Sequence, residues 1–214
     1  MYIPSMFEED RTEVLHETIE KYPFGVLLSH GKEGLDANHL PFELNKDQGP
    51  LGRLHAHVAR ANPFWQATAT GDEVIAVFQA ANAYISPGWY PSKAETEKEV
   101  PTWNFRAVHA YGRITIHDSD RYCRGMVARL TRTHEASRPK PWRMTDSPKD
   151  FIDSMLKEMV GIEIEITRLI GKTKMGQNKQ VRDALGASNA LRAQGDDEVA
   201  EVMLSYANSR KEGS

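Results

Sequence analysis

The sequence predicts an α+β fold, mainly a small antiparallel β-barrel with flanking helices and a C-terminal helical segment. Three observations predict it. Short apolar or alternating runs separated by turn residues fill the block 24–117, as in small antiparallel barrels. Helical periodicity follows in 120–134 and after Ser147, and the alternating run 162–166 supplies a strand that closes the barrel. Residues 180–207 are Ala-rich, charged and weakly amphipathic, which predicts one or two further helices.

The elements of the barrel are predicted in chain order. A helix over 10–22 ends at Pro23. The next two strands form a hairpin around a turn cluster at 30–34. Predicted strands cover 24–29, 36–44, 51–58, 74–79 and 105–117.

Several segments carry more detailed expectations. Residues 64–69 are expected to form a short helix, and a bulge at Asn82 to separate 74–79 from a continuation through 83–86. Residues 87–104, rich in Pro and aromatic residues, are expected to be irregular. The helix that begins at Ser147 is expected to end at Gly161.

Length and composition are those of a globular protein. The chain has 214 residues, with 40% hydrophobic and 27% charged residues. We predict a barrel domain over 1–178 and a C-terminal helical extension over 179–214. A formal net charge of -3 gives no overall attraction to nucleic acid.

The sequence also predicts a cytoplasmic location. The single cysteine, Cys123, excludes an internal disulfide and fits a reducing compartment. The N-terminus lacks the basic and apolar regions of a signal peptide. No apolar run approaches the roughly 20 residues of a membrane span.

Common catalytic motifs are absent from the sequence. There is no Gly-rich phosphate loop, no paired-cysteine spacing, no Gly-x-Ser-x-Gly and no His-Glu-x-x-His. Cys123 lies on the apolar stripe of a predicted helix, which favours a core residue over a nucleophile.

Two histidines share one face of the strand predicted over 51–58. His55 and His57 are two residues apart, and strand side chains alternate with a period of two. One interpretation is a metal site with His39 or His109 as third ligand. The other, which we favour, is a pair of half-exposed histidines that hydrogen-bond their neighbours, so no metal site is predicted.

Arg60 and Asn62 follow directly on this strand and suggest an anion site. A guanidinium offers planar donors that match phosphate oxygens. Spacing alone favours the other interpretation, a surface arginine followed by an Asn-Pro turn. Trp89, Tyr90 and Trp103 lie in the predicted irregular segment, either as a satellite core or as the wall of a slot for a flat ring.

Two stretches are locally basic. Residues 121–143 contain seven Lys or Arg and one acid, and residues 168–182 contain five and no acid. Either stretch could contact DNA phosphates. No groove-reading motif is visible in the sequence, so a solvated face or a lining for a phosphorylated cofactor is the simpler interpretation.

The sequence resembles the PaiB-type family of FMN-binding negative transcriptional regulators from Met1 to about Asn178. The matching stretches are Gly34-Leu35-Asp36-Ala37-Asn38-His39-Leu40-Pro41, His55-Ala56-His57-Val58-Ala59-Arg60-Ala61-Asn62-Pro63, Ala83-Tyr84-Ile85-Ser86-Pro87-Gly88-Trp89-Tyr90-Pro91, Val100-Pro101-Thr102-Trp103-Asn104, Arg138-Pro139-Lys140-Pro141-Trp142 and Gly161-Ile162-Glu163-Ile164. Together they are specific. One departure is Gly176, where the family usually has Ser.

The resemblance implies a split β-barrel related to pyridoxamine phosphate oxidase and flavin reductases, forming a homodimer with FMN at the subunit interface. It places residues 38–41 beside the flavin ring, and His57, Arg60 and Asn62 at the phosphate. The implied cofactor-binding residues are Asn38, His39, Leu40, Pro41, His55, His57, Arg60, Asn62, Gln79, Ser86, Trp103, Lys174, Gln177 and Asn178.

The resemblance implies a negative regulator of transcription. An FMN-dependent oxidoreductase of a small molecule and a haem-binding split barrel are the alternatives. No catalytic residue is assigned, because no proton donor near the ring is evident in the sequence.

Overall fold

A computed structural model describes residues 1–31 and 34–212 of the chain. Its helices are α1 (Thr12–Lys21), α2 (Phe64–Ala67), α3 (Pro91–Thr96), α4 (Asp120–Glu135), α5 (Lys149–Lys157), α6 (Val181–Ala193) and α7 (Asp197–Glu212). Its strands are β1 (Glu8–Glu9), β2 (Phe24–Gly31), β3 (Gly34–Pro41), β4 (Glu43–Asn45), β5 (Arg53–Ala59), β6 (Glu73–Ile85), β7 (Thr102–His117) and β8 (Met159–Lys174). The last two residues of the predicted C-terminal extension, 213–214, and two residues of the predicted hairpin turn, Lys32 and Glu33, lie outside the described residues.

Within the described residues the strands form one eight-stranded sheet. The order is β3-β2-β6-β7-β8-β5-β4, and β1 pairs with β8. The pairs β1–β8, β2–β3, β2–β6, β4–β5 and β5–β8 are antiparallel. The predicted hairpin is confirmed, since Phe24 lies opposite Pro41 and Leu28 opposite Ala37.

The chain divides into two compact units, and three long strands, β6, β7 and β8, contribute residues to both. The first unit comprises Met1–Arg11, Gln79–Val108 and Ile170–Ser214. The second comprises Thr12–Phe78 and His109–Leu169. The predicted domain boundary at residue 178 stays a prediction about which part of the chain folds by itself.

The core of the first unit joins the helices α6 and α7 to the end of β6. Leu191, Val199 and Met203 are buried in one cluster with Ile85 and Tyr90. The Ser188 hydroxyl donates to the Ala200 carbonyl oxygen at 2.9 Å and ties α6 to α7. The predicted C-terminal helices are therefore part of a packed unit.

The core of the second unit includes one face of the β5–β8 pair. Leu54 lies opposite Ile164 and Ala56 opposite Ile162, and all four are buried. The period of two in the sequence sets this register, because a slip by one residue would turn the apolar face outward. A second cluster joins Cys123 of α4 to Ile152 and Leu156 of α5, which confirms the predicted core position of Cys123.

Tertiary packing overrides the expected helix end at Gly161. Helix α5 ends at Lys157, and Gly161 lies inside β8. A Cβ atom at this position would lie 2.3 Å from the Tyr122 ring. Glycine is therefore required at position 161 because the Tyr122 ring packs against it, and not because a helix ends there.

One further expectation for 74–104 is wrong, and one stays a prediction. Strand β6 continues through Asn82, and its buried positions change from 74, 76, 78 and 80 to 83 and 85, a shift of one residue that a bulge at Asn82 would produce. The segment expected to be irregular contains a 3-10 turn at Pro87–Trp89 and the helix α3. Pro at the first position of α3 favours this start. Among the described residues, none of the helices is long and apolar enough to cross a membrane.

Candidate functional site

The predicted residues of the second unit lie on β3, on β5 and in the turn after β5. Asn62 Nδ2 donates to Asn38 Oδ1 at 2.7 Å, so the end of β5 is tied to β3. Asn62 Oδ1 accepts from the backbone N–H of Phe64 at 2.9 Å, where α2 begins. Two predicted site residues are thus brought into direct contact.

Strand β3 is a terminal strand in the sheet order. It pairs with β2, and its other edge has no strand partner among the described residues. Along residues 38–41, His39 is exposed and Leu40 is buried. A terminal strand presents unpaired backbone N–H and C=O groups along its free edge, which are the groups expected to serve the polar edge of a flavin ring.

Arg60 has partners within its own unit. Its guanidinium donates to Asp118 Oδ1 at 2.6 Å and to the carbonyl oxygens of Lys157 at 2.5 Å and Met159 at 3.2 Å. The hydrogen bond from Arg60 lowers the pKa of Asp118. The predicted phosphate contact of Arg60 stays a prediction, and it requires the guanidinium to exchange these partners for a ligand.

His55 is buried, contrary to the expectation of a half-exposed side chain. Its side chain is 4% exposed, and Nδ1 lies 2.7 Å from the Tyr122 oxygen. The Tyr122 hydroxyl donates its single proton to the Ile162 carbonyl oxygen at 2.9 Å. His55 Nδ1 therefore carries a proton and donates it to Tyr122. Helix α4, which carries Tyr122, covers the strand face that the sequence suggested was open.

Tyr122 holds a compact polar cluster. It stacks on His117 with a centroid distance of 3.9 Å. Glu163 lies 3.9 Å from His55 Nδ1 and 3.6 Å from His117 Nε2, and it accepts from Arg53 at 2.6 Å. Burial raises the pKa of the Tyr122 hydroxyl, which keeps it protonated as a donor.

Both histidines of β5 keep a ring nitrogen for a polar ligand. The Nδ1 atom of His57 and the Nε2 atom of His55 are buried and have no hydrogen-bond partner in the described part of the chain. Burial lowers the pKa of His57 and of His55, so both imidazoles are neutral near pH 7. An unpartnered buried nitrogen is costly without a ligand or water, and a phosphate or hydroxyl group would satisfy such an atom on β5.

The described residues contain no group of three or more His, Cys, Asp or Glu side chains placed to hold a metal ion. His55 is committed to Tyr122 through Nδ1. The pair of strand histidines therefore does not gain a third ligand from this part of the chain.

The predicted residues of the first unit include Lys174 and Trp103. Lys174 Nζ donates to the Thr102 hydroxyl and, at 2.9 Å, to the Trp103 carbonyl oxygen. Trp103 Nε1 donates to Asn82 Oδ1 at 2.9 Å. Burial, with help from Lys172 and Lys179, lowers the pKa of Lys174.

Gln177 stabilises a turn. It accepts from the Met175 N–H and donates to the Thr173 carbonyl oxygen, both at 2.7 Å. Gly176, between them, has φ +81°, a conformation that a Ser at this position would adopt only with strain. The departure of Gly176 from the family pattern thus has a local backbone reason.

A cavity of about 210 Å³ adjoins these residues within the first unit. Asn104, Lys174, Asn178 and Lys179 supply polar groups to its wall. Asn104 is 1% exposed, and its Oδ1 atom has no partner among the described residues. Ammonium and amide groups are the donors that an anionic or carbonyl-rich ligand requires.

The remaining predicted residues of the first unit have different surroundings. Gln79 is exposed on β6. Ser86 accepts from the Gly88 N–H at 3.2 Å and caps the turn at Pro87–Trp89. Sequence reasoning missed Asn104 and Lys179 as cavity residues, although Asn104 ends the matching stretch that begins at Val100 and Lys179 directly follows Asn178. It also missed Tyr122 as a site residue, although helical spacing places it beside Cys123 on the apolar stripe of the predicted helix.

Solved structures identify the class of protein that this fold defines. The FAD and heme binding protein from Mycobacterium smegmatis has a TM-score of 0.59 at 15% identity, covering 78% of this chain and 73% of that chain. The flavocytochrome Anf3 from Azotobacter vinelandii has a TM-score of 0.56 at 11% identity, covering 78% and 69%. The predicted α+β split β-barrel, mainly antiparallel with flanking helices, is confirmed.

The family within this class follows from the sequence. A family model described as "Putative FMN-binding domain" matches residues 1–168. The chain belongs to this family, which confirms FMN as the predicted cofactor.

Relatives in bacteria and fungi match nearly the whole chain or most of it. The "Protease synthase and sporulation protein PAI 2" of Bacillus subtilis is 28% identical over 191 residues, 89% of each chain. Protein AN0679 of Emericella nidulans is 30% identical over 232 residues, 92% of each. Protein YKL070W of Saccharomyces cerevisiae is 35% identical over 161 residues, 65% of this chain and 94% of that one.

Proposed function

We propose that this protein is a cytoplasmic, homodimeric FMN-binding regulator that represses transcription. The match of residues 1–168 to the FMN-binding family supports FMN as the cofactor. The similarity to the Bacillus subtilis protein named for protease synthesis and sporulation supports the regulatory role. FMN, when bound, supplies a redox-active ring that accepts one or two electrons.

In the second unit, His57, Arg60 and Asn62 would hold the phosphate, and the backbone of residues 38–41 would bond the ring. The unpartnered Nδ1 of His57 and the free edge of β3 support this assignment. In the first unit, Lys174 and Asn178 adjoin the 210 Å³ cavity, and we propose that they contact the cofactor held by the partner subunit. We propose that His55 positions Tyr122 and that Gln177 stabilises the turn around Gly176.

The cofactor is tested on the purified protein. We expect flavin absorption bands, and mass spectrometry of the small molecule released on denaturation should give the mass of FMN. His57→Gln and Lys174→Gln should each lower the FMN content at least tenfold after dialysis. The matched controls, His134→Gln and Lys172→Gln, should retain it. Colourless folded protein that binds no added FMN would refute the cofactor assignment.

The homodimer is tested by light scattering coupled to size exclusion. We expect about twice the chain mass of 24.1 kDa. The free edge of β3, where Leu35 is 83% exposed, supports a subunit contact. A monomer with full FMN content would exclude a cofactor site shared between subunits.

DNA contact is proposed through the stretch 121–143. Arg124 and Arg129 pair with Asp153 and Glu43, which leaves fewer cations for phosphates than the sequence count suggests. Arg121, Arg138 and Lys140 are exposed and form no ion pair within the described residues. A gel shift on the promoter of a repressed gene should weaken steeply with salt.

Charge reversal tests this contact. Arg121→Glu, Arg138→Glu and Lys140→Glu together should abolish the shift and leave the FMN content unchanged. Binding that persists in this triple variant would exclude direct contact through this stretch, and repression would then require a partner protein.

The two alternatives give different results on the same sample. Rapid bleaching of the flavin colour by NADH or NADPH would favour the oxidoreductase. A strong haem band would favour the third candidate, since two proteins of the same fold are described as a haem-binding protein and a flavocytochrome. The family match favours a flavin spectrum without a haem band.

A further inference from the structure

We propose a second ligand site in the second unit, one that takes a planar aromatic anion. It is formed by one face of α4 and the segment Pro141–Thr145. This proposal does not rest on the FMN-binding or regulatory function. It concerns Pro141 and Trp142, the end of the Arg-Pro-Lys-Pro-Trp stretch, to which the proposed function gives no role.

The site is a cavity of about 540 Å³, which we call the α4 cavity. Ala128, Thr131, Arg132 and Glu135 line it from α4. Their spacing places them on one face of the helix. A volume of this size lies in the range of small-molecule sites, about 300–1,000 Å³.

The opposite wall is fixed in place by two contacts. The Trp142 N–H donates to Glu135 Oε2 at 3.0 Å, which ties the segment to α4. Met144 packs against the buried cluster of Cys123, Ile152 and Leu156. The wall is thus anchored in the core of the unit, so the cavity is formed before any ligand binds.

The lining combines an aromatic surface with an excess of positive charge, two arginines against one glutamate. Trp142 lines the cavity and remains 40% exposed. Arg132 and Arg143 also line it, and neither guanidinium forms an ion pair within the described residues. Glu135 is the acid of the lining, and one of its oxygens is engaged by the Trp142 N–H.

These features select the ligand class. An indole surface favours a flat ring, and guanidinium groups favour a carboxylate or phosphate, which accepts two parallel hydrogen bonds. A cation would meet a lining whose net charge is positive, because two arginines outnumber Glu135. A neutral ring would leave both guanidinium groups without a partner, so the geometry points to an aromatic ring bearing one anionic group.

Calorimetric titration of the purified protein tests the site. The probes are 1-naphthoate, 1-naphthyl phosphate and the neutral 1-naphthamide. We expect at least one anion to bind ten times or more tightly than the amide, and the better of the two identifies carboxylate or phosphate as the preferred group. Equal affinity for the anions and the amide, or no binding of either anion, would overturn the proposal.

Variants locate the binding. Arg132→Gln and Arg143→Gln should each weaken the preferred anion at least tenfold, and Trp142→Ala should do the same. Arg138→Gln, which changes a nearby arginine outside the lining, should alter the affinity less than twofold. Unchanged affinity in all three lining variants would refute the site, and Trp142→Phe, which keeps a ring, should bind detectably if Trp142→Ala is unstable.

The FMN content of the same variants separates this site from the flavin site. It should be unchanged in Arg132→Gln and Arg143→Gln. Loss of FMN from both would overturn the proposal, because the α4 cavity would then be part of the flavin site. A failure of FMN to bind the unaltered protein would refute the proposed function and leave the naphthoate result standing.

Discussion

Tyr122 shows how one side chain decides the surroundings of several others. Its hydroxyl bridges His55 and the Ile162 carbonyl oxygen, and its ring stacks on His117. The ring fits only because Gly161 has no side chain. A residue from the apolar stripe of α4 thus buries a histidine that the strand pattern placed on an open face.

Gly161→Ala should destabilise the fold by about 1–3 kcal/mol, because the added Cβ overlaps the Tyr122 ring. That ring cannot easily move, since it stacks on His117 and its hydroxyl is hydrogen-bonded to His55 and Ile162. Gly125→Ala, in the interior of α4, is the control. Its Cβ would meet no atom nearer than 3.6 Å, so helix propensity should stabilise it by up to about 1 kcal/mol. Urea unfolding measures both changes, and equal stability of the two variants would contradict the packing argument.

The stability of the protein should depend on pH through His55 and His57. Burial lowers the pKa of both in the folded state below the ordinary value of 6.5. The unfolded chain therefore binds more protons below pH 6.5, and stability is present above that pH and is lost as pH falls through the folded pKa values.

Urea unfolding between pH 7.5 and 5 should show this loss. His57→Gln, which cannot titrate, should make the decline shallower. His134→Gln, with an exposed side chain, should leave the slope unchanged. A slope in His57→Gln as steep as that of the unaltered protein would exclude His57 as a source of the pH dependence.

At the scale of elements, a buried carboxylate fixes the helix α3. Asp183 of α6 is 1% exposed and accepts from the Ser92 N–H at 2.9 Å. Gly186, one turn further along α6, approaches the Trp89 carbonyl oxygen so closely that a Cβ would lie 2.4 Å away. Contacts distant in sequence thus order a segment that appears irregular from local pattern.

Asp183→Ala should cost about 1–3 kcal/mol, because it leaves a buried N–H unsatisfied. The matched control is Ser92→Ala, since the Ser92 hydroxyl is itself buried without a hydrogen-bond partner in the described structure. Removing that hydroxyl should be neutral or slightly stabilising. Thermal unfolding compares the two, and a larger loss in Ser92→Ala would contradict this account of α3.

At the scale of the whole molecule, the C-terminal helices decide how much of the chain folds together. Leu191, Val199 and Met203 share one buried cluster with Ile85 and Tyr90. The predicted boundary at residue 178 would separate these residues. Arg210 further donates to the Gln177 and Lys179 carbonyl oxygens at 2.8 and 2.7 Å.

A chain ending at Asn178 should therefore lose cooperative unfolding or unfold at a much lower temperature. The control is a chain ending at Arg210, which keeps α6, most of α7 and the Arg210 contacts, and it should unfold like the full chain. Circular dichroism measures both. An Asn178 chain as stable as the full chain would establish residues 1–178 as an independent domain.

Flavin binding should also stabilise the whole protein. A ligand at 100 times its Kd adds about 2.7 kcal/mol to the free energy of unfolding. FMN added to the flavin-free protein should produce this gain, whereas riboflavin at the same concentration should produce less because it lacks the phosphate. Equal gains measured by urea unfolding would exclude a phosphate contact.

The sequence by itself determined the strands, the main helices and the cofactor family. The β5 and β8 runs alternate strictly, and period two is a local property that needs no knowledge of the partner strand. The motif stretches named the family because they specify residue types at fixed spacing. The helical spacing of apolar residues over 120–134 likewise made α4 predictable.

Only the tertiary structure decided which of those residues are available to a ligand. In the folded chain Arg60 hydrogen-bonds to Asp118, and His55 to Tyr122. Gln177 hydrogen-bonds within a turn, whereas His57 Nδ1 has no partner among the described residues. The physical reason is that hydrogen bonding and burial depend on groups brought together from distant parts of the chain. The local sequence around a donor does not show whether that donor is hydrogen-bonded to a residue from a distant part of the chain.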